Sequence, residues 1–268
     1  MDNLVENKFD GQKIENYDMY LEGMKKSIRD KLFFEGLVSN VDTFVDFGCA
    51  DGEMLRYINK DFPEWKLFGI DMDEKMLESA SLNCDKAEYV CSKNIPYLPI
   101  NVNKSIINLS SVIHEIYAYS SKQDIKIFWE ELFQHEFEYI SIRDLMISSS
   151  AYRKSDINDM LLVSSKADKK QLSDFTSIYG DLGKQNNLLH FLMKYRYLEN
   201  WDREVEENYF PITVEEMLSF VPTDKYRIVY FNHYILPFNR DKIMEDYNFE
   251  IKDNTHVKIL LQKKRSDR

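Results

Sequence analysis

Three short stretches of the chain carry residues suited to chemistry. Val45-Asp46-Phe47-Gly48-Cys49-Ala50-Asp51-Gly52 runs from apolar residues into a glycine-studded turn. Phe68-Gly69-Ile70-Asp71, about twenty residues further on, ends on a single acid. Ser110-Ser111-Val112-Ile113-His114-Glu115-Ile116-Tyr117-Ala118-Tyr119 sets an imidazole beside a carboxylate. Glycines let a backbone approach a ligand closely, and an acid at a strand end can accept hydrogen bonds from both hydroxyls of a ribose. A histidine whose ordinary pKa lies near neutrality suits proton transfer, and Glu115 can orient His114 or act alone.

Such residues work only if regular elements hold them in place. Apolar residues at Tyr17, Leu21, Met24, Ile28 and Leu32 predict an amphipathic helix over about 15–37. Strands are expected at 43–46, 66–71, 87–91, 105–109 and 138–144, with helices between them. Asp73 is placed to cap one of those helices, and Ile125, Phe128, Trp129 and Leu132 mark the face of another. Alternating strands and helices imply a mostly parallel sheet covered on both faces. The alternation breaks near residue 146. From 148 to 171 the chain reads as a polar, locally basic loop or short-helix region, then a helix carries Leu188, Leu192 and Tyr195. Thr213-Val-Glu-Glu216 is a capping box opening another helix, and strands at 226–236 and 256–262 flank a last helix near 239–247. The expected division is an N-terminal helical segment over 1–40, an α/β domain formed by 41–145 and 212–268, and a helical insertion at 146–211.

Composition narrows the class. The 268 residues carry a net charge of -11 and are 44% hydrophobic and 14% aromatic, enough for a sizeable core. The acidic balance disfavours a duplex nucleic-acid binder, although Lys154, Lys166, Lys169 and Lys170 form a local basic stretch. No run approaches the roughly 18 apolar residues of a membrane span, and the first residues lack the pattern of a secretory signal. Cys49, Cys84 and Cys91 are too few and too irregular for a disulfide framework. A cytoplasmic protein is expected. The five histidines are scattered without ligand spacing, so no metal site is expected either.

The glycine turn distinguishes between nucleotide sites. A dinucleotide site places a third glycine deeper in the helix, in a G-x-G-x-x-G pattern. Here Gly48 is followed by Gly52, with Asp51 and Glu53 near the place a pyrophosphate would occupy. Those acids repel phosphate and tolerate an ammonium or sulfonium. Asp46-Phe-Gly48-Cys-Ala-Asp-Gly52, with Asp71 ending the second strand, resembles the loop of the class I S-adenosylmethionine-dependent methyltransferases. The resemblance covers 41–145 and 213–262. It implies a Rossmann-like α/β sheet of seven strands, the last antiparallel, with helices on both faces. Ala50 replaces the family's central glycine. The acid that usually follows the third strand is absent, with Ser92, Lys93 and Asn94 in its place.

The resemblance also implies roles. S-adenosylmethionine would be the cofactor. Gly48, Cys49, Ala50 and Gly52 would shape the loop around its methionyl moiety, and Asp46 would orient the ammonium. Asp71 would take the ribose hydroxyls, Met72 would pack on the adenine, and Ser92 or Asn94 would meet its edge. Leu109 and Ser110 would border the transferable methyl. Tyr17 and Tyr20 would close over the cofactor, or simply pack as helix aromatics. Just after strand four, His114 is the candidate base with Glu115 beside it, and Tyr117 would contact substrate; Arg143 and Asp144, ending strand five beside the same pocket, would contact substrate or pair with each other. Asn94-Ile-Pro-Tyr97 is similar to an amino-methyltransferase signature but follows strand three rather than strand four. The insertion would cap the site, with Trp201, Tyr195, Tyr197 and Tyr209 lining an aromatic acceptor pocket. Asp202, Glu204, Glu206 and Glu207 would attract a cationic acceptor. The function expected is methyl transfer to a small molecule. The alternatives are methylation of RNA, DNA or protein, and a cofactor-binding regulatory module without turnover.

Overall fold

A computed structural model describes residues 5–7, 12–14 and 28–265. Strands β1 (Val5–Asn7) and β2 (Gln12–Ile14) form a small antiparallel pair. The body of the molecule is one seven-stranded sheet. Its strands are β3 (Thr43–Phe47), β4 (Lys66–Asp71), β5 (Glu88–Cys91), β6 (Ser105–Ser110), β7 (Tyr139–Leu145), β8 (Tyr226–Tyr234) and β9 (His256–Lys263). They lie in the order β5-β4-β3-β6-β7-β9-β8. The first five pair in parallel, and β9 runs antiparallel to both β7 and β8. The expected α/β class and the single reversed last strand are both present.

The central strands are buried on both faces, which is why they read as continuous apolar runs rather than alternating ones. On one face Val45, Phe47, Ile107, Leu109, Ile140 and Ile142 meet helices Ile113–Tyr119, Lys122–Gln134 and Val214–Ser219. On the other, Phe44, Ile106, Tyr139 and Leu260 meet Ile28, Leu32 and helix Glu53–Asp61. Strand order reverses between β3 and β6, both of which start from the middle of the sheet, and a crevice opens at their carboxyl ends. The glycine turn and the His114 segment both leave the sheet there.

Two local expectations change. Residues 15–27 of the predicted first helix lie outside the described residues. The described part, Ile28–Lys31, gives way to turns over 32–37. Phe34 is fully buried against Phe44, and Gly36 follows it, so tertiary packing and a poor helix former end the helix early. The polar stretch after 148 is more helical than its composition suggests, with helices Ile157–Lys166 and Lys169–Tyr179. Asp156 and Asp168 cap them through their carboxylates. Helices Gln185–Lys194 and Trp201–Glu206 follow, and all four surround a separate apolar cluster that includes Phe175, Leu188 and Phe191.

Candidate functional site

The turn after β3 is built on three residues in the left-handed region: Gly48 (φ 75°), Ala50 (φ 46°) and Gly52 (φ 74°). A Cβ on Gly48 would stand 2.7 Å from Val112, and one on Gly52 would stand 2.9 Å from Ala80, so both positions also need the missing side chain. Ala50 adopts the same conformation at a steric cost that glycine would avoid. Asp71 holds it there. Its Oδ2 accepts the Ala50 N–H at 2.9 Å and its Oδ1 accepts the Asp73 N–H at 3.0 Å. Each oxygen keeps a lone pair for a further donor.

Asp46 lies beneath the turn, 4% exposed, and accepts a hydrogen bond from Asn108 Nδ2 at 2.8 Å. Burial pushes its carboxyl up to about 7. A cleft beside it is lined by Ile28, Lys31, Asp46, Gly48, Glu53 and Ser110, among others. Burial, reinforced by repulsion from Arg143, lowers the Lys31 ammonium to about 8. Cys49 is buried next to Gly69, and Met72 and Ser92 lie half-buried at the ends of β4 and β5. The Ser92 hydroxyl turns back on its own loop, donating to the Asn94 carbonyl at 2.8 Å. Tyr17 and Tyr20 lie outside the described residues.

The second half of the site forms around His114. Asp144, at the end of β7, accepts the N–H groups of Val112 and Ile113 on Oδ2 at 3.1 and 2.7 Å. Its Oδ1 lies 2.5 Å from His114 Nδ1. The other ring nitrogen, Nε2, faces Glu207 Oε1 at 3.3 Å. Burial alone would lower the His114 pKa, but Asp144 and Glu207 outweigh it and hold the ring well above its ordinary value. The charged form of the His114 ring is thereby favoured. Glu115 packs among protein atoms and keeps 36% of its side chain accessible. Burial and the Glu207 charge raise its carboxyl to about 7.

Glu207 comes from the segment between β7 and the Thr213 capping box, far from His114 in sequence. Arg203 joins the two carboxylates, with Nη2 3.5 Å from Glu207 and 3.9 Å from Glu115. Lys194, wholly buried, donates to the carbonyls of Glu204 and Glu207, and its ammonium sits 4.3 Å from the Tyr209 ring centre. The Tyr209 hydroxyl donates to Glu204, and its ring meets His114 edge-on at 5.8 Å. One ligand atom each from His114, Glu115 and Glu207 lies within 4.8 Å of the others, a set able to hold a divalent cation. Histidine spacing in the sequence missed this set, because its third member arrives through the fold.

Arg143 is 4% exposed and does not pair with Asp144. Its Nε donates to Asp30 at 2.9 Å and its Nη1 donates to Ser111 Oγ at 3.1 Å. Tyr197 stands close enough to Arg143, Arg203, Glu204 and Glu207 to feel their charges. Other expected site residues turn elsewhere. The Tyr117 hydroxyl accepts the Trp129 indole N–H at 3.0 Å and its ring joins the core beneath the sheet. Trp201 is 5% exposed within the helical cluster and donates to Asp174 at 2.9 Å. The Tyr195 hydroxyl donates to Asp246 at 2.7 Å. Tyr117, expected at the substrate, and Trp201 and Tyr195, expected in the acceptor pocket, instead engage Trp129, Asp174 and Asp246 with their polar tips. Lys31 and Asp30 carry no local sequence signal for their parts in the site.

No family model matches the chain, and no curated protein matches its sequence. Solved structures do. The chain is similar to the plantazolicin methyltransferase BpumL, crystallised with a pentazolic desmethylPZN analog and SAH. That likeness has a TM-score of 0.50 at 14% identity over 93% of this chain and 87% of that one. It is also similar to an O-methyltransferase family 2 protein from Planctomyces limnophilus DSM 3776, crystallised with apigenin. There the TM-score is 0.52 at 12% identity over 92% of this chain and 60% of that one. Together with the strand order and the single antiparallel strand, these likenesses show that the chain has the fold of the class I S-adenosylmethionine-dependent methyltransferases.

Proposed function

We propose that the protein is an S-adenosylmethionine-dependent methyltransferase acting on a small-molecule acceptor held between the sheet and the 146–211 insertion. One observation carries the reading: the turn at Gly48, Ala50 and Gly52 is held in its left-handed conformation by Asp71, whose oxygens keep capacity for a diol. The residues present fit that cofactor. Ser110 Oγ is buried at the cleft without a hydrogen-bond partner among the described residues, and Asp46 can receive an ammonium. Asp51 and Glu53 oppose a pyrophosphate there.

The cofactor supplies a methyl group already activated by a sulfonium leaving group, so the chain's task is alignment and, for a proton-bearing acceptor, proton removal. Asp144 and Glu207 favour the charged ring, which makes His114 the weaker candidate for that proton. Glu115, part-exposed and raised to about 7, is the proton acceptor in this reading. His114 then acts as a fixed positive partner that places Glu207 and the insertion against the sheet.

The small-molecule reading is supported by the state of the basic stretch. Lys166 donates to the Tyr247 carbonyl at 2.9 Å, and Lys170 pairs with Asp174 at 2.8 Å. The Lys166 ammonium is thus turned onto the fold, and the Lys170 charge is met by an acid. Incubation with radiolabelled cofactor and fractionated cell extract tests the proposal. Label entering low-molecular-weight acceptors is the expected result. Label confined to RNA, DNA or protein would replace the acceptor class, and no label with measurable cofactor binding would point to a module without turnover.

A further inference from the structure

His114 has the surroundings of an imidazole that ligates a metal. Asp144 Oδ1 holds its Nδ1 at 2.5 Å, and Asp144 Oδ2 is fixed in turn by the N–H groups of Val112 and Ile113. A carboxylate on one ring nitrogen sets the tautomer and leaves the other nitrogen to an ion. That nitrogen, Nε2, lies 3.3 Å from Glu207 Oε1, and two ligands on one ion stand roughly 3–3.5 Å apart. A Glu115 oxygen lies within 4.8 Å of both. Arg203 Nη2 approaches Glu207 through the other oxygen, Oε2, which leaves Oε1 turned to the ring.

The balance of charge favours a dication. Asp144, Glu115, Glu204 and Glu207 meet Arg203 and Lys194 in this cluster, four carboxylates against two cations. Beyond them, Lys31 is opposed by Asp46, and Arg143 by Asp30. We propose that His114 Nε2, Glu115 and Glu207 form a site for one first-row divalent cation, of the class of Mn2+ and Zn2+. One imidazole nitrogen with two carboxylates suits these ions, whereas Ca2+ takes about six to eight oxygens and Mg2+ keeps to oxygen donors. Three protein ligands leave the ion a position for a further oxygen. Glu115 is near enough to Asp71 to feel its charge, which sets the ion close to the glycine turn. On the methyltransferase reading that position holds an oxygen of the acceptor, and Glu115 then binds the ion in place of the proton. The site itself does not rest on that reading.

Chelator-treated protein titrated with Mn2+, followed by the spin-resonance signal of the free ion, and with Zn2+ by calorimetry tests the site. One ion per chain is expected. Its affinity should fall about tenfold or more in Glu115→Gln and Glu207→Gln and stay unchanged in Glu206→Gln, an exposed acid on the same segment. A wild type that takes up neither ion, or a Glu115→Gln that binds as the wild type does, overturns the proposal. Equal losses in Glu206→Gln overturn it too, since the ions would then sit on surface acids. Among the described residues the ion pair of Glu115 is the 3.9 Å contact with Arg203, so Glu115→Gln decides the matter if Glu207→Gln fails to fold. S-adenosylhomocysteine binding, measured on the same samples, judges the cofactor reading separately. Metal without S-adenosylhomocysteine keeps the site and removes the methyltransferase reading, and S-adenosylhomocysteine without metal does the reverse.

Discussion

At the residue scale, two carboxyls do different work because their surroundings differ. Asp71 spends one lone pair of each oxygen on backbone N–H groups, so it organises the turn and still faces the ligand. Asp71→Ala should weaken S-adenosylhomocysteine binding by about 1–3 kcal/mol, the scale of hydrogen bonds to a charged group. Calorimetry that finds wild-type affinity would remove the ribose assignment. Glu115 makes a different prediction. If it accepts the proton, turnover rises with pH as the carboxyl ionises around 7, and Glu115→Gln gives a low rate without that rise. A variant with the wild-type pH profile would clear Glu115 of the role. Ala50 offers a test of backbone strain. Its φ of 46° costs a residue with a Cβ about 1–2 kcal/mol, against the roughly 0.5–1 kcal/mol that glycine loses through a freer unfolded chain. Ala50→Gly should therefore raise stability by about 0.5–1 kcal/mol in denaturant melts, and a destabilised variant would show that the turn is not strained.

At the element scale, the segment carrying Arg203 and Glu207 is held by one buried side chain. Lys194 donates to the carbonyls of Glu204 and Glu207, which have no helix continuing beyond them to supply other donors. Lys194→Met keeps the aliphatic stem and strands both carbonyls, so stability should fall by about 1–3 kcal/mol. Because Glu207 faces His114 from that segment, turnover should fall by more than affinity for S-adenosylhomocysteine. Equal losses in both would make Lys194 a matter of folding alone. The strands were legible in the sequence because central parallel strands are bare apolar runs ended by Gly, Asp or Pro. The glycine turn was legible because only a few residue types tolerate its conformation. The Asp144–His114–Glu207 line was not, although each of its members stood in view. Its geometry depends on where β7 ends relative to β6 and on a helix some ninety residues from His114, and no local pattern encodes either. Tyr117, Trp201 and Tyr195 misled for the opposite reason: an aromatic with a polar tip reads the same whether its partner is a ligand or the core.

At the scale of the whole molecule, burial around the site makes stability depend on pH in a direction that can be worked out. Asp46 and Glu115 are both raised to about 7 by burial, from ordinary values of 3.8 and 4.5. Between those values and 7 the folded chain keeps protons that the unfolded chain has released, so stability falls as pH rises through this window. His114 adds to the fall above 6.5, because its raised pKa favours the folded state only while the ring is charged. Lys194 and Lys31, lowered to about 7 and about 8, act in the other sense. They regain stability for the folded state only as pH climbs from there towards 10.5. His190 and His256, lowered well below 6.5 by burial, oppose the fall below 6.5, so from pH 5 to pH 7 the test is the difference between the wild type and a variant rather than the net curve. Asp46→Asn isolates one contribution, since the amide oxygen can still accept the Asn108 hydrogen bond while no charge forms beneath the turn. Over that range the wild type should lose stability relative to this variant, with the two curves closest at pH 5. Parallel curves would mean that Asp46 ionises as an ordinary carboxylate and that the floor of the cleft is open to water.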